Sequence, residues 1–324
     1  MKVIITGGSG FIGTNLIEYL LLSNRHEVLS LDILPPKLKA HHAIWKKIDI
    51  RDKFSLSEVI KDFNPNLVIH LAARTDLNGK TIEEYDSNTT GVSNLIEVLN
   101  ELEGFERAIF ASSMYVCEPG YSLTNFEDYK PHTIYGESKV ITEKIIKSAD
   151  LKYKWAIIRP TSIWGPWFGE PYANFFQIVL SRKYFHMGEK ACTKTYGYID
   201  NTVYQILSLI NAPAEQINKK VFYLGDWPAY DISEWADEIA EYIGIKIPRV
   251  PFSLFRIAAW GGDILKIIGI KFPMTSFRLK NMTTNNIQDL TPIKEIAPNL
   301  PVTRQDGIKS TVDWIRKSKE SIQI

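Results

Sequence analysis

Tyr135 and Lys139 form the residue pair in this sequence that best suits the removal of a proton from a hydroxyl group. They lie at positions i and i+4 of a predicted helix and therefore share one of its faces. A free tyrosine has a pKa of about 10, which is too high for a base at neutral pH. A nearby lysine ammonium would stabilise the phenolate and lower that pKa. We expect Tyr135 to be the base and Lys139 to assist it; because the spacing is common, a solvated helix face is the alternative.

Ser112 and Ser113 provide hydroxyl groups upstream of this pair. They close a predicted strand that begins at Arg107, and ligands of open α/β sheets bind outside the carboxyl ends of the strands. A serine at that position can hold a substrate oxygen while Tyr135 removes its proton. The sequence therefore predicts a site in which a serine, a tyrosine and a lysine meet.

The chain begins with a predicted strand, a glycine-rich turn and a helix. Lys2 to Thr6 is a short apolar run, Gly7 to Gly13 contains four glycines, and Phe11 to Leu22 has apolar residues at helical spacing. A dinucleotide-binding turn requires this order, since glycines let a pyrophosphate approach the backbone at the helix N-terminus. A second strand, Glu27 to Leu31, leads to Asp32, whose carboxylate can accept from a ribose 2′-OH and would repel a 2′-phosphate. We therefore expect NAD rather than NADP; ordinary turn glycines and a solvated Asp32 are the alternative.

Strands and helices alternate through the first half of the chain. The predicted strands are 2–6, 27–31, 66–71, 107–112, 153–159 and 221–224, and the predicted helices are 11–22, 53–63, 81–103, 133–148, 174–182, 201–210, 252–270 and 304–318, with a further helix that begins between 231 and 233. This alternation predicts βαβ units with right-handed crossovers, and hence an α/β fold with a Rossmann-type doubly wound parallel sheet. The regularity breaks after Pro160, where loops rich in Gly, Pro and Trp indicate a smaller C-terminal substrate-binding cap.

The chain divides accordingly into segments with different expected roles. We expect residues 1–165 to form the NAD-binding domain, with 196–225 returning to it. Residues 166–195 and 226–300 would form the substrate-binding cap, and 301–324 a C-terminal helix.

The composition limits the class of protein. A formal charge of +1 over 324 residues gives no basic stripe for nucleic acid, and two isolated cysteines, Cys117 and Cys192, indicate neither a disulfide framework nor a metal site. Met1 leads directly into the first strand, so we expect no signal peptide and a cytoplasmic location. The longest uncharged stretch, 201–214, is too short and polar for membrane insertion.

An apolar helix predicted over 252–270 is interrupted by Gly261 and Gly262 and bracketed by Pro251 and Pro273. Its charged residues make it unsuitable as a membrane anchor. We expect it to flank a substrate pocket or to form a dimer contact.

Taken together, these motifs resemble the extended short-chain dehydrogenase/reductases, in particular the NAD-dependent epimerase/dehydratase family of nucleotide-sugar enzymes. The resemblance covers nearly the whole chain. The motifs that carry it are Thr6–Gly13, Asp32, Asp49–Ile50, His70–Ala73, Asn88, Ser112–Ser113, Tyr135 with Lys139, and Arg159–Pro160 through Gly165–Pro166.

The resemblance implies NAD as cofactor and a set of contacts to it. Asp49 and Ile50 would lie at the adenine, the Leu71–Ala73 step along the pyrophosphate and ribose, and Asn88 on a helix that supports the site. Ser113 would be the catalytic hydroxyl, because it stands three residues before Val116 in the family pattern. The implied cofactor-binding residues are Gly7, Gly10, Phe11, Ile12, Gly13, Asp32, Asp49, Ile50, Leu71, Ala72, Ala73, Asn88, Tyr135, Lys139 and Pro160.

Substrate contacts follow from the same resemblance. Asn174 matches an asparagine near the sugar-nucleotide diphosphate, and Lys194 stands where an arginine is usual, which removes the bidentate fork. Arg278 would supply a diphosphate contact, with a surface cation as the alternative. Arg74 would contact a carboxylate or phosphate, with a surface salt bridge as the alternative. The family also implies a homodimer through helices near 91–102 and 133–148.

Two substitutions within the family pattern narrow the reaction. Family members that eliminate water carry an Asp-Glu pair after the catalytic hydroxyl, where this chain has Met114 and Tyr115. We therefore expect a nucleotide-sugar epimerase, acting at C4 through a transient keto-sugar. The alternatives are an NAD(P)-dependent reductase of a nucleotide-linked 4-keto-6-deoxy sugar or a hydroxysteroid-like dehydrogenase, and, more remotely, a non-catalytic NAD-sensing scaffold.

Overall fold

The structure, a computed structural model, describes residues 1–121, 123–170, 172–189, 191–267 and 274–320. The strands of the largest sheet in these ranges are β1 (Lys2–Thr6), β2 (Glu27–Asp32), β3 (Trp45–Lys47), β4 (Leu67–His70), β5 (Arg107–Ala111), β6 (Lys154–Pro160) and β11 (Lys220–Leu224). The shorter strands are β7 (Ser162–Trp164), β8 (His186–Met187), β9 (Thr193–Lys194), β10 (Tyr196–Tyr198), β12 (Tyr230–Asp231) and β13 (Arg249–Val250).

Helices cover the rest of the regular structure. They are α1 (Phe11–Ser23), α2 (Lys53–Phe63), α3 (Asp86–Asn100), α4 (Ile134–Ser148), α5 (Tyr172–Leu180), α6 (Ile199–Asn211), α7 (Ala214–Ile217), α8 (Ile232–Tyr242), α9 (Phe252–Ile267), α10 (Ser276–Thr283), α11 (Thr291–Ile296) and α12 (Arg304–Glu320), with 3-10 turns at Lys39–Ile44, Glu83–Tyr85 and Met114–Val116.

The large sheet is parallel throughout, in the order β3-β2-β1-β4-β5-β6-β11. The chain first builds outward from β1 in one direction and then, from β4 on, in the other. The point where the order reverses is where doubly wound sheets leave a crevice for a ligand. The register aligns Thr6 with His70, so β1 and β4 end side by side at this crevice. The predicted α/β class and doubly wound sheet are confirmed.

Apolar clusters cover both faces of the sheet. On one face, Ile60 of α2, Leu95 of α3 and Ile146 of α4 pack with the strands. On the other face, Leu16 of α1 shares a continuous cluster with residues as distant in sequence as Trp235 of α8. The C-terminal half is therefore joined to the sheet through a shared core.

The largest departures from the predicted elements occur at chain segments with weak local signals. The helix predicted over 81–103 begins only at Asp86, after a 3-10 turn, and β3 was not predicted as a strand. Strand β11, by contrast, lies where a strand was predicted over 221–224, and it pairs with β6 across the intervening stretch 161–219. The helix predicted over 252–270 ends at Ile267 in the described range, and residues 268–273 lie outside it.

None of the helices in the described ranges combines the length and the apolar character that crossing a bilayer demands.

Candidate active site

The glycine turn after β1 packs directly against the backbone that follows β4. Gly7 has φ of 75°, and a Cβ at this position would lie 2.5 Å from the Ala72 nitrogen. A Cβ on Gly13 would lie 2.4 Å from the Gly7 carbonyl oxygen. Because neither position has room for a side chain, the turn brings α1 close to the strand ends.

The N-terminus of α1 faces the crevice without a capping side chain. Gly10 is the N-cap, it has no side chain, and the first turn, with Phe11, Ile12 and Gly13, carries no acidic residue. The first N–H groups of a helix lack intrahelical acceptors, and they attract anions together with the helix dipole. A glycine cradle that a Cβ would fill, next to an uncapped helix N-terminus, fits the diphosphate of NAD.

Asp32 lies at the end of β2, beside this turn. Its Oδ2 accepts from the Ser9 N–H at 3.0 Å, and its Oδ1 accepts from the Leu34 N–H at 2.9 Å. These two bonds fix the carboxylate between the glycine turn and the following loop. Each carboxylate oxygen retains a further lone pair, so Asp32 can still accept from a ribose hydroxyl.

The segment after β4 runs along the same turn. The Leu71 N–H donates to the Thr6 carbonyl at 3.0 Å, and the Ala72 N–H lies 3.3 Å from Thr6 Oγ1. These bonds hold Leu71 and Ala72 beside the end of β1, and the cofactor contacts predicted for Leu71, Ala72 and Ala73 stay predictions. His70 is buried, its Nδ1 lies 2.7 Å from Thr6 Oγ1, and burial and the Lys139 charge lower its pKa to about 3, so it is a neutral core histidine.

Some of the side chains predicted to bind the cofactor form contacts within the protein itself. The Asp49 carboxylate pairs with Arg51 at 2.6 Å, and hydrogen bonds from Arg51 lower its pKa. Ile50 is buried, and Pro160 ends β6 in a half-buried position.

Asn88 is fully buried on α3, and its amide is satisfied within the chain. It accepts from the Arg74 N–H at 2.8 Å and donates to the Arg74 carbonyl and to Ser138 Oγ. Asn88 therefore joins the loop after β4 to α4, and the cofactor contact predicted for it stays a prediction.

Ser113, Tyr135 and Lys139 meet at the ends of β5 and α4. Thr133 caps α4 by accepting from the Gly136 N–H at 3.0 Å, which fixes the start of the helix one residue before Tyr135. Lys139 Nζ donates to the Ala111 carbonyl at the end of β5 at 2.9 Å, and Ser113 hydrogen-bonds the Tyr135 hydroxyl. All three side chains are buried.

Burial dominates the protonation of this cluster in the chain without cofactor. It raises the pKa of Tyr135 to about 12, although the hydrogen bond from Ser113 acts in the opposite direction. It also lowers the pKa of Lys139 to about 8, against the attraction of the Glu143 carboxylate. The lowered phenol pKa that we expected from Lys139 is thus not found in the chain alone, because desolvation of the phenolate outweighs the favourable interactions.

Glu143 lies one turn beyond Lys139 on α4, in a buried ion pair. Its Oε1 accepts from Arg159 Nε at 2.8 Å, and both side chains have no exposed surface. Tyr129 donates to Glu143 Oε2 at 2.9 Å. This pair links the catalytic helix to β6 and keeps a carboxylate near Lys139.

Sequence reasoning did not select three tyrosines that surround this cluster. The ring of Tyr115 lies 5.8 Å from that of Tyr135, and the ring of Tyr85 lies 6.1 Å from it. Tyr172 hydrogen-bonds Tyr115 and receives a hydrogen bond from Ser162 at 3.1 Å. Burial raises the pKa of Tyr115 and Tyr172, so both are neutral phenols able to donate and accept. The sequence signalled two of them only by position, since Tyr115 follows Ser113 by two residues and Tyr172 precedes Asn174 by two, and it gave no signal for Tyr85.

Arg74, predicted as a substrate contact, forms ion pairs within its own loop. Its guanidinium lies 2.7 Å from Asp76 and 3.2 Å from Glu84, above the ring of Tyr85. The surface salt bridge, which the sequence left as the alternative, is the arrangement found. The substrate contact itself stays a prediction.

The remaining substrate positions lie on the C-terminal half. Asn174 is half-buried on α5 and makes no side-chain hydrogen bond within the described part of the chain. Lys194 Nζ donates to the Asn281 carbonyl at 2.8 Å, and burial lowers its pKa. Arg278 is exposed on α10. The substrate contacts predicted for these three residues stay predictions.

The chain matches the model of one protein family and is similar to several known proteins. A model described as NAD dependent epimerase/dehydratase family matches residues 3–225. A 3-beta-hydroxysteroid dehydrogenase of Mycolicibacterium neoaurum is 26% identical over 270 residues, covering 78% of this chain and 73% of that protein. A UDP-glucose 4-epimerase of Lactobacillus helveticus is 31% identical over 163 residues, covering 46% and 47%. The crystal structure of a Thermotoga maritima UDP-glucose 4-epimerase with UDP-glucose superimposes with a TM-score of 0.74 at 21% identity, covering 98% of this chain and all of that one.

Proposed function

Because the chain belongs to the NAD-dependent epimerase/dehydratase family, we propose that it is a nucleotide-sugar epimerase that inverts the configuration at C4. The observation that carries this proposal is the convergence of Ser113, Tyr135 and Lys139 next to the glycine turn. The similarity to a UDP-glucose 4-epimerase supports the same substrate class.

NAD, when bound, accepts a hydride from the sugar carbon and returns it, and the glycine turn, α1 and Asp32 are the elements that would hold it. Ser113 orients the sugar hydroxyl by a hydrogen bond. Tyr135 removes the hydroxyl proton as the sugar is oxidised to the ketone, and it returns the proton after the ketone has presented its other face.

This role requires that positive charge reach the buried phenol. Burial holds the pKa of Tyr135 at about 12 in the chain alone, and an opposite charge within a few Å favours the phenolate. Lys139 is the source of that charge within the chain. The glycine turn, α1 and Asp32 would hold NAD, which would add the positive charge of its oxidised ring.

Met114 and Tyr115 argue against elimination of water. Neither carries a carboxyl group, and burial raises the pKa of Tyr115, so that it remains protonated. An epimerase needs no acid beyond the tyrosine that shuttles the proton.

The decisive experiment incubates the purified chain with UDP- and GDP-sugars that differ only at C4. NAD is supplied at a concentration no higher than that of the enzyme, and the products are identified by NMR. We expect one sugar pair to interconvert to equilibrium without net formation of NADH. A strict requirement for stoichiometric NADPH would contradict the proposal.

A net dehydrogenase is the second candidate. The similarity to a 3-beta-hydroxysteroid dehydrogenase over most of the chain favours it, and the same Tyr135 would serve as base there. Continuous accumulation of NADH with a sterol or sugar substrate would identify this activity. A non-catalytic NAD sensor would instead keep its function in Tyr135→Phe.

For either enzyme we propose that the chain forms a homodimer through α3 and α4. Light scattering measures the mass of the particle in solution and tests this proposal.

A further inference from the structure

Helix α9 presents a row of large apolar side chains to solvent. Leu254, Ile257, Trp260 and Ile264 are 53%, 64%, 67% and 43% exposed. With 3.6 residues per turn, these four positions fall within an arc of about 120°. Ala259 and Gly262, which are buried, lie on the opposite side of the helix. Monomeric proteins seldom expose a contiguous apolar row of this kind unless it contacts another surface.

The same part of the chain carries a strong positive charge. Helices α9 and α10 contain four cationic residues, Arg256, Lys266, Arg278 and Lys280, and one acidic residue, Asp263, for a formal charge of +3 against +1 for the whole chain. The Asp263 carboxylate accepts from the Ser276 N–H at 3.1 Å, so the acidic group is used between the two helices.

An open groove of about 710 Å³ runs between α9 and α10. Apolar side chains, including Ile257 and Trp260, form part of its lining, and Arg256 and Lys280 lie along the same groove. The groove therefore combines an apolar wall with two cations, which matches the acyl chain and the phosphate of an anionic lipid.

We propose that α9 and α10 form a docking surface for an anionic lipid bilayer, with α9 lying in the plane of the membrane interface. Interfacial helices combine an apolar face that contains Trp and Leu with flanking Lys and Arg residues. Anionic lipids attract such basic segments, and tryptophan favours the headgroup level. Docking of this kind needs no helix that crosses the bilayer, so it is compatible with the charged residues that make this segment unsuitable as an inserted anchor.

A second copy of the chain fits this surface less well. A two-fold interface brings the same patch of both copies together, and here it would place one cationic segment against another. Like charges opposed across an interface disfavour association. An anionic surface removes that repulsion.

The docking surface is also close to the candidate active site along the chain. After α10 the chain reaches Thr284, whose carbonyl accepts from Cys192 Sγ, and Asn286, whose Nδ2 lies 4.0 Å from Met114 Sδ. Met114 directly follows Ser113. A membrane that holds α10 therefore lies one short segment away from the cleft.

The test uses the full chain in a vesicle flotation assay. Vesicles of pure phosphatidylcholine are compared with vesicles of phosphatidylcholine and phosphatidylglycerol, at low and high salt. We expect at least about fivefold more protein to float with the anionic vesicles at low salt, and most of it to be released at high salt because salt screens the attraction.

Two variants assign the effect to this surface. Ile257→Glu with Trp260→Glu should abolish flotation, whereas Leu22→Glu with Phe54→Glu, which alters residues that are 80% and 73% exposed elsewhere, should leave it unchanged. Circular dichroism verifies that both variants remain folded.

Three outcomes would overturn the proposal. One is equal recovery with neutral and anionic vesicles, and another is equal loss in both double variants. The third is no flotation of the wild-type chain, together with a change from dimer to monomer in Ile257→Glu/Trp260→Glu, which would assign the surface to a second copy. None of these results depends on the catalytic activity.

Discussion

The cofactor side and the substrate side of the crevice are built from different parts of the chain. Around Gly7 and Gly13 the contacts are backbone to backbone, and no side chain fits between them. Around Tyr135 the contacts are between side chains, which come from the segment after β5 (Ser113 and Tyr115) and from the 3-10 turn before α3 (Tyr85). A site made of backbone depends on glycine at fixed positions, whereas a site made of side chains can be altered residue by residue.

The largest expected effect is a loss of turnover when the side-chain half of the site, the part around Tyr135, is altered. Tyr135→Phe removes the proton acceptor and keeps the ring, so we expect the turnover number to fall by about 10²- to 10⁴-fold with little change in NAD affinity. Tyr19→Phe, at a position that is 54% exposed, is the matched control. Turnover and calorimetric titration with NAD measure the two effects. Full activity of Tyr135→Phe would refute the catalytic assignment.

The backbone half should respond with a loss of both stability and binding. Gly7→Ala places a Cβ at a positive φ and against the Ala72 nitrogen, so we expect the free energy of unfolding to fall by about 2 kcal/mol or more. We expect NAD affinity to fall at least about tenfold, because the turn must move. Gly169→Ala has no neighbour within 4 Å and serves as control. A free energy of unfolding in urea that is unchanged in Gly7→Ala would show that the turn can accommodate a Cβ.

A third prediction concerns the pH dependence of the side-chain half. Burial lowers the pKa of Lys139 to about 8, and the Glu143 carboxylate raises it. Activity should therefore decline as pH rises through about 8, where the ammonium loses its proton. Glu143→Gln removes the negative charge, lowers the pKa further and should move this decline about one pH unit lower.

Glu137→Gln, on the exposed side of the same helix, is the control for that shift. Because Glu143→Gln leaves Arg159 buried without its carboxylate, its folding is verified by circular dichroism at each pH. An unchanged alkaline limb in Glu143→Gln would show that Lys139 does not set it.

The smallest expected effect is on cofactor choice. Asp32 should make the chain prefer NAD over NADP by at least about tenfold, because its carboxylate repels a 2′-phosphate. Asp32→Asn should narrow that preference without changing turnover with NAD by more than a few-fold. Asp62→Asn, whose side chain is 81% exposed, should leave the preference unchanged. Fluorescence titration with both cofactors provides the measurement.

The contrast between the two halves also explains what the sequence could predict. Local sequence patterns predict the strand Lys2–Thr6, the glycines after it and the position of Asp32. In the structure these residues lie where the patterns predict. The contacts of Arg74 and Asn88 could not be predicted from local patterns in the same way. Whether Arg74 faces a substrate or Asp76 depends on loop geometry, and the partners of Asn88 come from α4 and the loop after β4.

The protonation of Tyr135 depends on burial, which no spacing rule reports. Its i+4 relation to Lys139 suggests a lowered pKa, but the surrounding rings of Tyr85 and Tyr115 come from other segments and exclude water. The four exposed apolar residues of α9 illustrate the same limit, since their apolar pattern alone does not separate a buried helix from an exposed one.

Strand β11 also affects how the protein must be synthesised. A nascent chain that has emerged only as far as residue 165 carries β6 with its outer edge bare, because that edge pairs with Lys220–Leu224 in the finished sheet. An unpaired strand edge exposes N–H and C=O groups that can pair with a strand of another chain. Translation thus passes through an aggregation-prone interval that ends once Leu224 emerges, and any fragment cut between β6 and β11 keeps that edge permanently open.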